Sequence, residues 1–284
     1  MSPKVGVVLL NWHGWRDTIC CLESLETLDY PALEIVVVDN ASSDDSVEQI
    51  KRAFPRVELL QNERNKGFGG GCNPGIRWVM ERDAELVWLL NNDTKVEPNT
   101  LSALVQCLVE KSRRVAAGSV LYYMDEPNRV QAWGGGHINF WLGTSKHFHH
   151  KPSPEELHYL TAASLLVKVN ALKTAGLFDE QRFFMYWEDV DLCFRLRKNG
   201  GELAIAEDSR VFHKESASLG KRSVKLAQYF NQSAISFFRA HSTIPNISIT
   251  AGLAGRLIKS LLRGDFSVAT TIAKLLMGSI KDNS

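Results

Sequence analysis

The chain has 284 residues, 44% hydrophobic and 23% charged, a composition that excludes a disordered or fibrous protein and allows one large α/β domain, or one domain with an appendage. Its net charge of +1 hides a division. From Arg210 onward there are 11 Lys and Arg against 3 Asp and Glu, or +8, which leaves −7 for residues 1–209; the body is acidic, the tail is basic, and no nucleic-acid partner is expected.

The apolar run in "KVGVVLLNW" is too short for a signal peptide and predicts a buried strand over Val5 to Leu10. A helix follows over Asp17 to Leu28, a strand over Glu34 to Asp39 and a helix over Asp44 to Ala53. "RVELLQN" predicts a third strand, Asn73 to Arg82 a helix, and "ELVWLLNND" a fourth strand. This alternation is the pattern of βα units around a parallel sheet. "EPNTLSALVQCLVE" restarts a helix, with Pro98 suited to its first turn.

Beyond Val115 the rhythm changes. "VAAGSVLYYM" predicts a strand, while "VQAWGGGHINFWLGTSKHFHHKPSPEEL" reads as loops or short hairpins. Then come a strand at "ASLLVKV", a short helix at "NALKTAG", a helix at "VDLCFRLRKNGG" that stops at paired glycines, and a strand at "ELAIAEDSRVFH". From Lys221 the tail reads as helical. Arg256, Lys259 and Arg263 fall at i, i+3 and i+7, opposite an apolar stripe of Leu257, Ile258, Leu261 and Leu262, and Phe266 to Ile280 repeats the arrangement with Lys274 and Lys281. Such helices suit an anionic membrane surface, docking on the body, or a second subunit in a homodimer. No segment approaches the roughly 20 apolar residues of a bilayer span. Five cysteines (Cys20, Cys21, Cys72, Cys107 and Cys193) include no CxxC pair, which suits neither a disulfide framework nor a zinc site and points to a reducing, cytoplasmic compartment.

Four stretches carry chemistry. In "VVVDNASSDDS" a buried strand delivers Asp39 and Asn40 to a turn, where a carboxylate accepts hydrogen bonds from a ribose or base N–H, or simply caps the next helix together with Ser42 and Ser43. In "NERNKGFGGGCNPGI" the glycines Gly67, Gly69, Gly70 and Gly71, interrupted by Phe68, allow backbone to approach a ligand. The run matches neither a dinucleotide fingerprint nor a P-loop, and on its own it reads as a structural turn. "WLLNNDT" ends a strand in Asn91, Asn92 and Asp93, oxygen ligands of the kind that Mg²⁺ or Mn²⁺ on a diphosphate requires, and His213 at the end of "RVFH" adds an imidazole. In "YWEDVDLCFRLRKNGG" the acids Glu188 and Asp189 open a helix, whose dipole favours their ionised form, and an ionised carboxylate there can serve as a general base. Helix capping by Asp189 is the competing reading. Asp191, four residues before Arg195, reads as a structural ion pair.

Together, "VVLLNWHGWRDTICCLESL", "VVVDNASSDDS", "NKGFGGGCNPGI", "LLNNDT", "GLFDEQRFFMYWEDVDLCFRLRKNG" and "FHKESAS" resemble family 2 glycosyltransferases of the GT-A fold, over about residues 4–220. Within that family they look most like bacterial rhamnosyltransferases, with galactofuranosyltransferases close by. The resemblance implies an α/β GT-A catalytic domain over 1–220, Rossmann-like with a mostly parallel sheet flanked by helices, and a basic C-terminal helical extension over 221–284. It implies that Asp39, Asn40, Asn92 and the backbone near Asn11 hold the nucleotide, with the loop containing Gly67, Phe68, Gly69 and Asn73 beside it. It makes Asp93 and His213 metal ligands, with Asn91 replacing a carboxylate, Asp189 the base, and Glu188, Trp187 and Tyr186 the acceptor side. The implied activity is inverting transfer of rhamnose or a related hexose from a dTDP- or UDP-sugar to a glycan or lipid-linked acceptor in cell-surface polysaccharide synthesis. Mg²⁺ or Mn²⁺ would be the cofactor, and the site of action cytoplasmic or peripheral at the inner face of the membrane. Two other readings compete: a sugar nucleotidyltransferase, whose Gly-rich N-terminal loop with Arg and Lys "LLNWHGWRD" does not supply, and a degenerate binding subunit, suggested by Asn91 but opposed by Asp93, Asp189 and His213.

Overall fold

The computed structural model describes residues 2–214 and 223–281. The first half is built of β1 (Val5–Asn11), α1 (Trp15–Leu25), β2 (Leu33–Asp39), α2 (Ser46–Ala53), β3 (Glu58–Gln61), α3 (Gly67–Met80) and β4 (Leu86–Asn91). Its strands pair in parallel in the order β3-β2-β1-β4. The register sets Asn11 beside Asp39 and Leu10 beside Asn91, so the polar strand ends share one edge of the sheet. Ligands of open α/β sheets bind at that carboxyl edge.

The chain continues through β5 (Thr94–Val96), α4 (Thr100–Val109), β6 (Arg114–Tyr123), β7 (Val130–Trp133), β8 (Gly135–Asn139), β9 (Thr144–His147), β10 (Tyr159–Leu160), β11 (Ser164–Lys168), α5 (Val169–Ala175), α6 (Glu188–Lys198) and β12 (Glu202–His213). Here the sheet becomes mixed. β11 lies antiparallel between β4 and β6, β12 runs parallel to β6, and β5 pairs antiparallel with the end of β12. The indole of Trp88, fully buried in β4, donates to Ser164 Oγ at 3.0 Å and fixes β11 beside it. The Gly- and His-rich stretch folds as the antiparallel pair β8–β9 with β10 as a third strand.

The glycine stretch is a correction. Its residues are not a loop before a helix at Asn73 but the first turns of α3 itself. A Cβ on Gly71 would sit 2.7 Å from Leu10 Cδ1, and one on Gly75 2.7 Å from Val8 Cγ1. Small residues let the helix backbone lie close on β1 and β2, where ordinary side chains would collide.

The expected domain boundary at 220/221 lies outside the described residues. The tail forms α7 (Val224–His241), α8 (Pro245–Leu262) and α9 (Phe266–Lys281), with Ser223 capping α7 and Pro245 in the first turn of α8. Phe237 and Phe238 of α7 are buried against Trp187, Phe140 and Phe194 of the body, and Ile249, Leu253 and Ile272 join the same core. Asp191 bonds Arg195 at 2.8 Å, as its spacing predicts, and also accepts from His241 at 2.7 Å, which ties α6 to α7. Among the described residues no helix is long and apolar enough to cross a membrane.

The tail faces the other way from a simple amphipathic reading. Arg256 turns inward, donating to Asn231 Oδ1 at 2.6 Å and to the Gly143 carbonyl at 3.0 Å, while Leu262 is 84% exposed and Phe266 68%. The basic row lines a cleft and part of the apolar stripe meets solvent.

Candidate functional site

Residues expected at the nucleotide, Asn11 and Asp39, sit at the ends of β1 and β2. Asp39 is buried and accepts from Asn11 Nδ2 at 2.7 Å, Ser42 N at 2.8 Å and Ser42 Oγ at 2.6 Å. A carboxylate has about four acceptor positions, so one is left for a ligand. Thr18 Oγ1 donates to Asn11 Oδ1 at 2.9 Å and accepts from Asn92 Nδ2 at 2.8 Å, which joins β1, α1 and the end of β4 in one network. His13 and Ala41, just past the two strand ends, hold positive φ of 55° and 61°. Such backbone is costly for residues with a side chain and collects at binding sites. Ser42 and Ser43 do not cap α2: Ser42 serves Asp39, and the Ser43 N–H donates to His13 Nε2 at 2.8 Å.

Asn40 and three residues of the glycine region, all expected at the nucleotide, make other contacts within the protein. Asn40 donates to Asn65 Oδ1 and the Gly67 carbonyl and accepts from Asn62 and the Lys66 N–H, so its polar atoms are fully spent. Asn73 clasps the backbone of Phe178, donating to its carbonyl at 3.0 Å and accepting from its N–H at 3.2 Å. The Phe68 N–H donates to the Phe184 carbonyl at 2.8 Å, and a Cβ on Gly69 would lie 2.7 Å from Phe178 Cβ. The start of α3 therefore braces residues 178–184, which lead into the acids of α6.

At the ends of β4 and β12, His213 Nδ1 lies 2.7 Å from Gln131 Oε1. A carbonyl oxygen only accepts, so Nδ1 donates to it and Nε2 faces inward. Nε2 lies 3.2 Å from Asn91 Nδ2 and 3.2 Å from Asp93 Oδ1. A proton on Nε2 would bridge this pair as a hydrogen bond, and a divalent cation can take the proton's place, bound by both atoms. The donor set, one imidazole nitrogen and one carboxylate, therefore fits a divalent metal whose other positions a diphosphate and water would fill. Among the described residues no cluster of three or more acidic, His or Cys ligands competes for that role.

Opposite stands the N-terminus of α6. Tyr186 and Trp187 hold consecutive positive φ of 69° and 67°. Trp187 is 3% exposed and packs on Phe230, Phe237 and Phe238, yet it also lines the cavity that Glu188 and Asp189 face, so it walls the expected acceptor side from the core. Tyr186, 37% exposed, keeps the aromatic face that a sugar ring can meet. Asp189 accepts from Ala162 N at 3.1 Å and from Val190 N at 2.8 Å. Burial raises its pKa, and those two N–H groups oppose the rise. Glu188 is buried beside it with no partner for Oε2 among the described residues. Burial first, and then the Asp189 charge, push Glu188 up to about 8.

Asn91, His213, Tyr186, Glu188 and Asp189 all line one cavity of about 400 Å³. Sequence reasoning missed Gln131, which orients His213, and the Ala162 N–H that holds Asp189. Both lie in segments that read as irregular, and a backbone donor leaves no residue signature.

Residues 15–173, more than half of the chain, match the glycosyl transferase family 2 profile. The chain belongs to this family. Among curated relatives, the glycosyltransferase is 28% identical over 246 residues to the N-acetylglucosaminyl-diphospho-decaprenol L-rhamnosyltransferase of Mycobacterium tuberculosis, covering 78% of this chain and 79% of that protein. It is 24% identical over 197 residues to dTDP-rhamnosyl transferase RfbF of Shigella flexneri, covering 68% and 62%. Among solved structures, the mannosyltransferase PcManGT of Pyrobaculum calidifontis, in complex with GDP-Man and Mn²⁺, superposes with a TM-score of 0.61 at 18% identity over 100% of this chain and 87% of that one. GalNAc-T7 with UDP, GalNAc and Mn²⁺ gives a TM-score of 0.62 at 16% identity, covering 76% and 44%. The glycosyltransferase has the GT-A fold of these enzymes.

Proposed function

We propose that this family 2 glycosyltransferase moves a sugar, rhamnose or a related hexose, from a dTDP- or UDP-sugar to a hydroxyl of a glycan or lipid-linked acceptor, with inversion, in cell-surface polysaccharide synthesis. The observation that carries this reading is the single cavity lined by His213 and Asn91 on one side and by Glu188 and Asp189 on the other. The rhamnosyltransferase names of two relatives support the choice of sugar.

In this reading Asn11, Asp39 and Asn92 hold the nucleoside, with the last acceptor position of Asp39 taking a base or ribose donor. Asp93 and His213 hold Mg²⁺ or Mn²⁺, which when bound offsets the charge of the leaving diphosphate. Asp189 removes the proton of the acceptor hydroxyl as that oxygen attacks the anomeric carbon from the face opposite the diphosphate. Burial raises the pKa of Asp189, which strengthens the carboxylate as a base, and its two N–H donors aim it. Burial and the Asp189 charge favour the protonated form of the neighbouring Glu188, which leaves the negative charge of the pair to Asp189. One base and no enzymic nucleophile give one displacement, hence inversion. In this reading the chain works at an anionic membrane surface on the cytoplasmic side, and charge supports the attachment: residues 223–281 hold 7 Lys and Arg against 1 Asp, beside the exposed Leu262 and Phe266.

A screen of nucleotide sugars for release of nucleoside diphosphate, with and without Mn²⁺ or Mg²⁺, tests the reading. A dTDP- or UDP-hexose turned over only with metal is expected. Turnover of nucleoside triphosphate plus sugar phosphate in its place would refute it.

A further inference from the structure

Arg256 of α8 is a half-buried guanidinium whose two hydrogen-bond acceptors, Asn231 Oδ1 and the Gly143 carbonyl, are both neutral. No carboxylate pairs with it among the described residues. The Phe230 ring lies 5.6 Å from its central carbon. Taking a cation out of water without a counter-charge is costly, and structures tolerate it where an anion arrives with a ligand. Burial accordingly draws its pKa down to about 10.

Lys259 and Arg263 follow along the same helix face, and all three line a cleft of about 1530 Å³ with Lys146 of β9. Asp265 is the one carboxylate on that lining among the described residues. The cleft also takes in Asn91, His213 and Tyr186, so it is continuous with the catalytic cavity, but Asn11, Asp39 and Asn92 do not line it. The cations therefore lie away from the nucleoside residues, on a cleft that meets the cavity of Glu188 and Asp189 at Tyr186 and Phe230. Val268 and Ile272 of α9 add an apolar strip to the same cleft.

We propose that Arg256, Lys259 and Arg263 form an anion site that grips phosphate on the acceptor, so that the acceptor is a sugar carried on a phosphate or diphosphate with an apolar chain rather than a neutral glycan. A planar guanidinium pairs with phosphate oxygens through parallel N–H bonds, and two further cations suit a second phosphate. This site rests on the transferase reading above.

The test is calorimetry on the full chain with hexyl diphosphate as probe and UDP or dTDP with Mn²⁺ as control. The main variant is Lys259→Ala/Arg263→Ala, whose residues are exposed and whose side chains form no hydrogen bond or ion pair among the described residues; Arg256→Gln is the second. The proposal expects hexyl diphosphate to bind without displacing the nucleoside diphosphate, and to weaken about tenfold or more in the double variant while nucleoside diphosphate affinity holds. Equal hexyl diphosphate affinity in wild type and double variant would overturn it. So would parallel loss of both ligands, which would give these cations to the donor's diphosphate. If the wild type bound no nucleoside diphosphate at all, the transferase reading itself would fall, an outcome distinct from the first two.

Discussion

His213 Nε2 and Asp93 Oδ1 face each other across 3.2 Å, with the other imidazole nitrogen committed to Gln131 at 2.7 Å. The amide fixes the tautomer that makes Nε2 a ligand. Gln131→Leu should therefore weaken Mn²⁺ binding, measured by titration in the presence of UDP, by about 10- to 100-fold with the fold intact. Unchanged affinity would show that His213 does not depend on this partner.

Glu188 gives the chain a pH signature. Its folded pKa, about 8, lies above the ordinary 4.5, so between these values the folded state keeps a proton that the unfolded chain has released. Stability then falls as pH rises from about 4.5 to about 8, by up to about 1.4 kcal/mol per pH unit. Glu188→Gln should give a flatter profile in urea melts across that window, though not a flat one, because Asp189 is raised in the same direction.

Asp191 behaves oppositely. Burial pushes its pKa up, but the hydrogen bond from His241 and the charge of Arg195 outweigh burial and hold it below the ordinary 3.8. Its contribution is present above that value and lost as pH falls through the depressed one. Asp191→Ala leaves Arg195 without its carboxylate and should cost about 3–5 kcal/mol in denaturant unfolding at neutral pH.

The exposed Leu262 and Phe266, at the turn between α8 and α9, offer the membrane test. Replacing both with Ser should cut co-sedimentation with phosphatidylglycerol-containing vesicles about tenfold or more and leave thermal stability unchanged. Unaltered sedimentation would remove the membrane role, and a fall in solution mass on substitution would assign the patch to a second copy of the chain.

Much of this architecture is visible in the residues alone. The runs ending in Asn11, Asp39 and Asn91 announce buried strands with polar tips, and parallel pairing then forces those tips to one edge. Asp191 and Arg195 are legible because helix geometry fixes i,i+4 neighbours. The burial of Trp187 is not, since it depends on left-handed backbone at Tyr186 and Trp187 itself and on Phe230, Phe237 and Phe238, which are distant in sequence. The glycines of α3 look like a ligand loop because glycine serves flexible turns and tight packing alike, and only the strands beneath decide between them. Nor does spacing reveal which face of α8 turns inward; Asn231 and the Gly143 carbonyl, both distant in sequence, settle the position of Arg256.

The assignment of Asp189 as base is tested most directly by Asp189→Asn, comparing the rate of nucleoside diphosphate release with acceptor present against the Kd of nucleoside diphosphate. The amide keeps the side chain's shape and loses its proton affinity. The account predicts a rate lower by about 10²- to 10⁴-fold at unchanged Kd; transfer at the wild-type rate would contradict it.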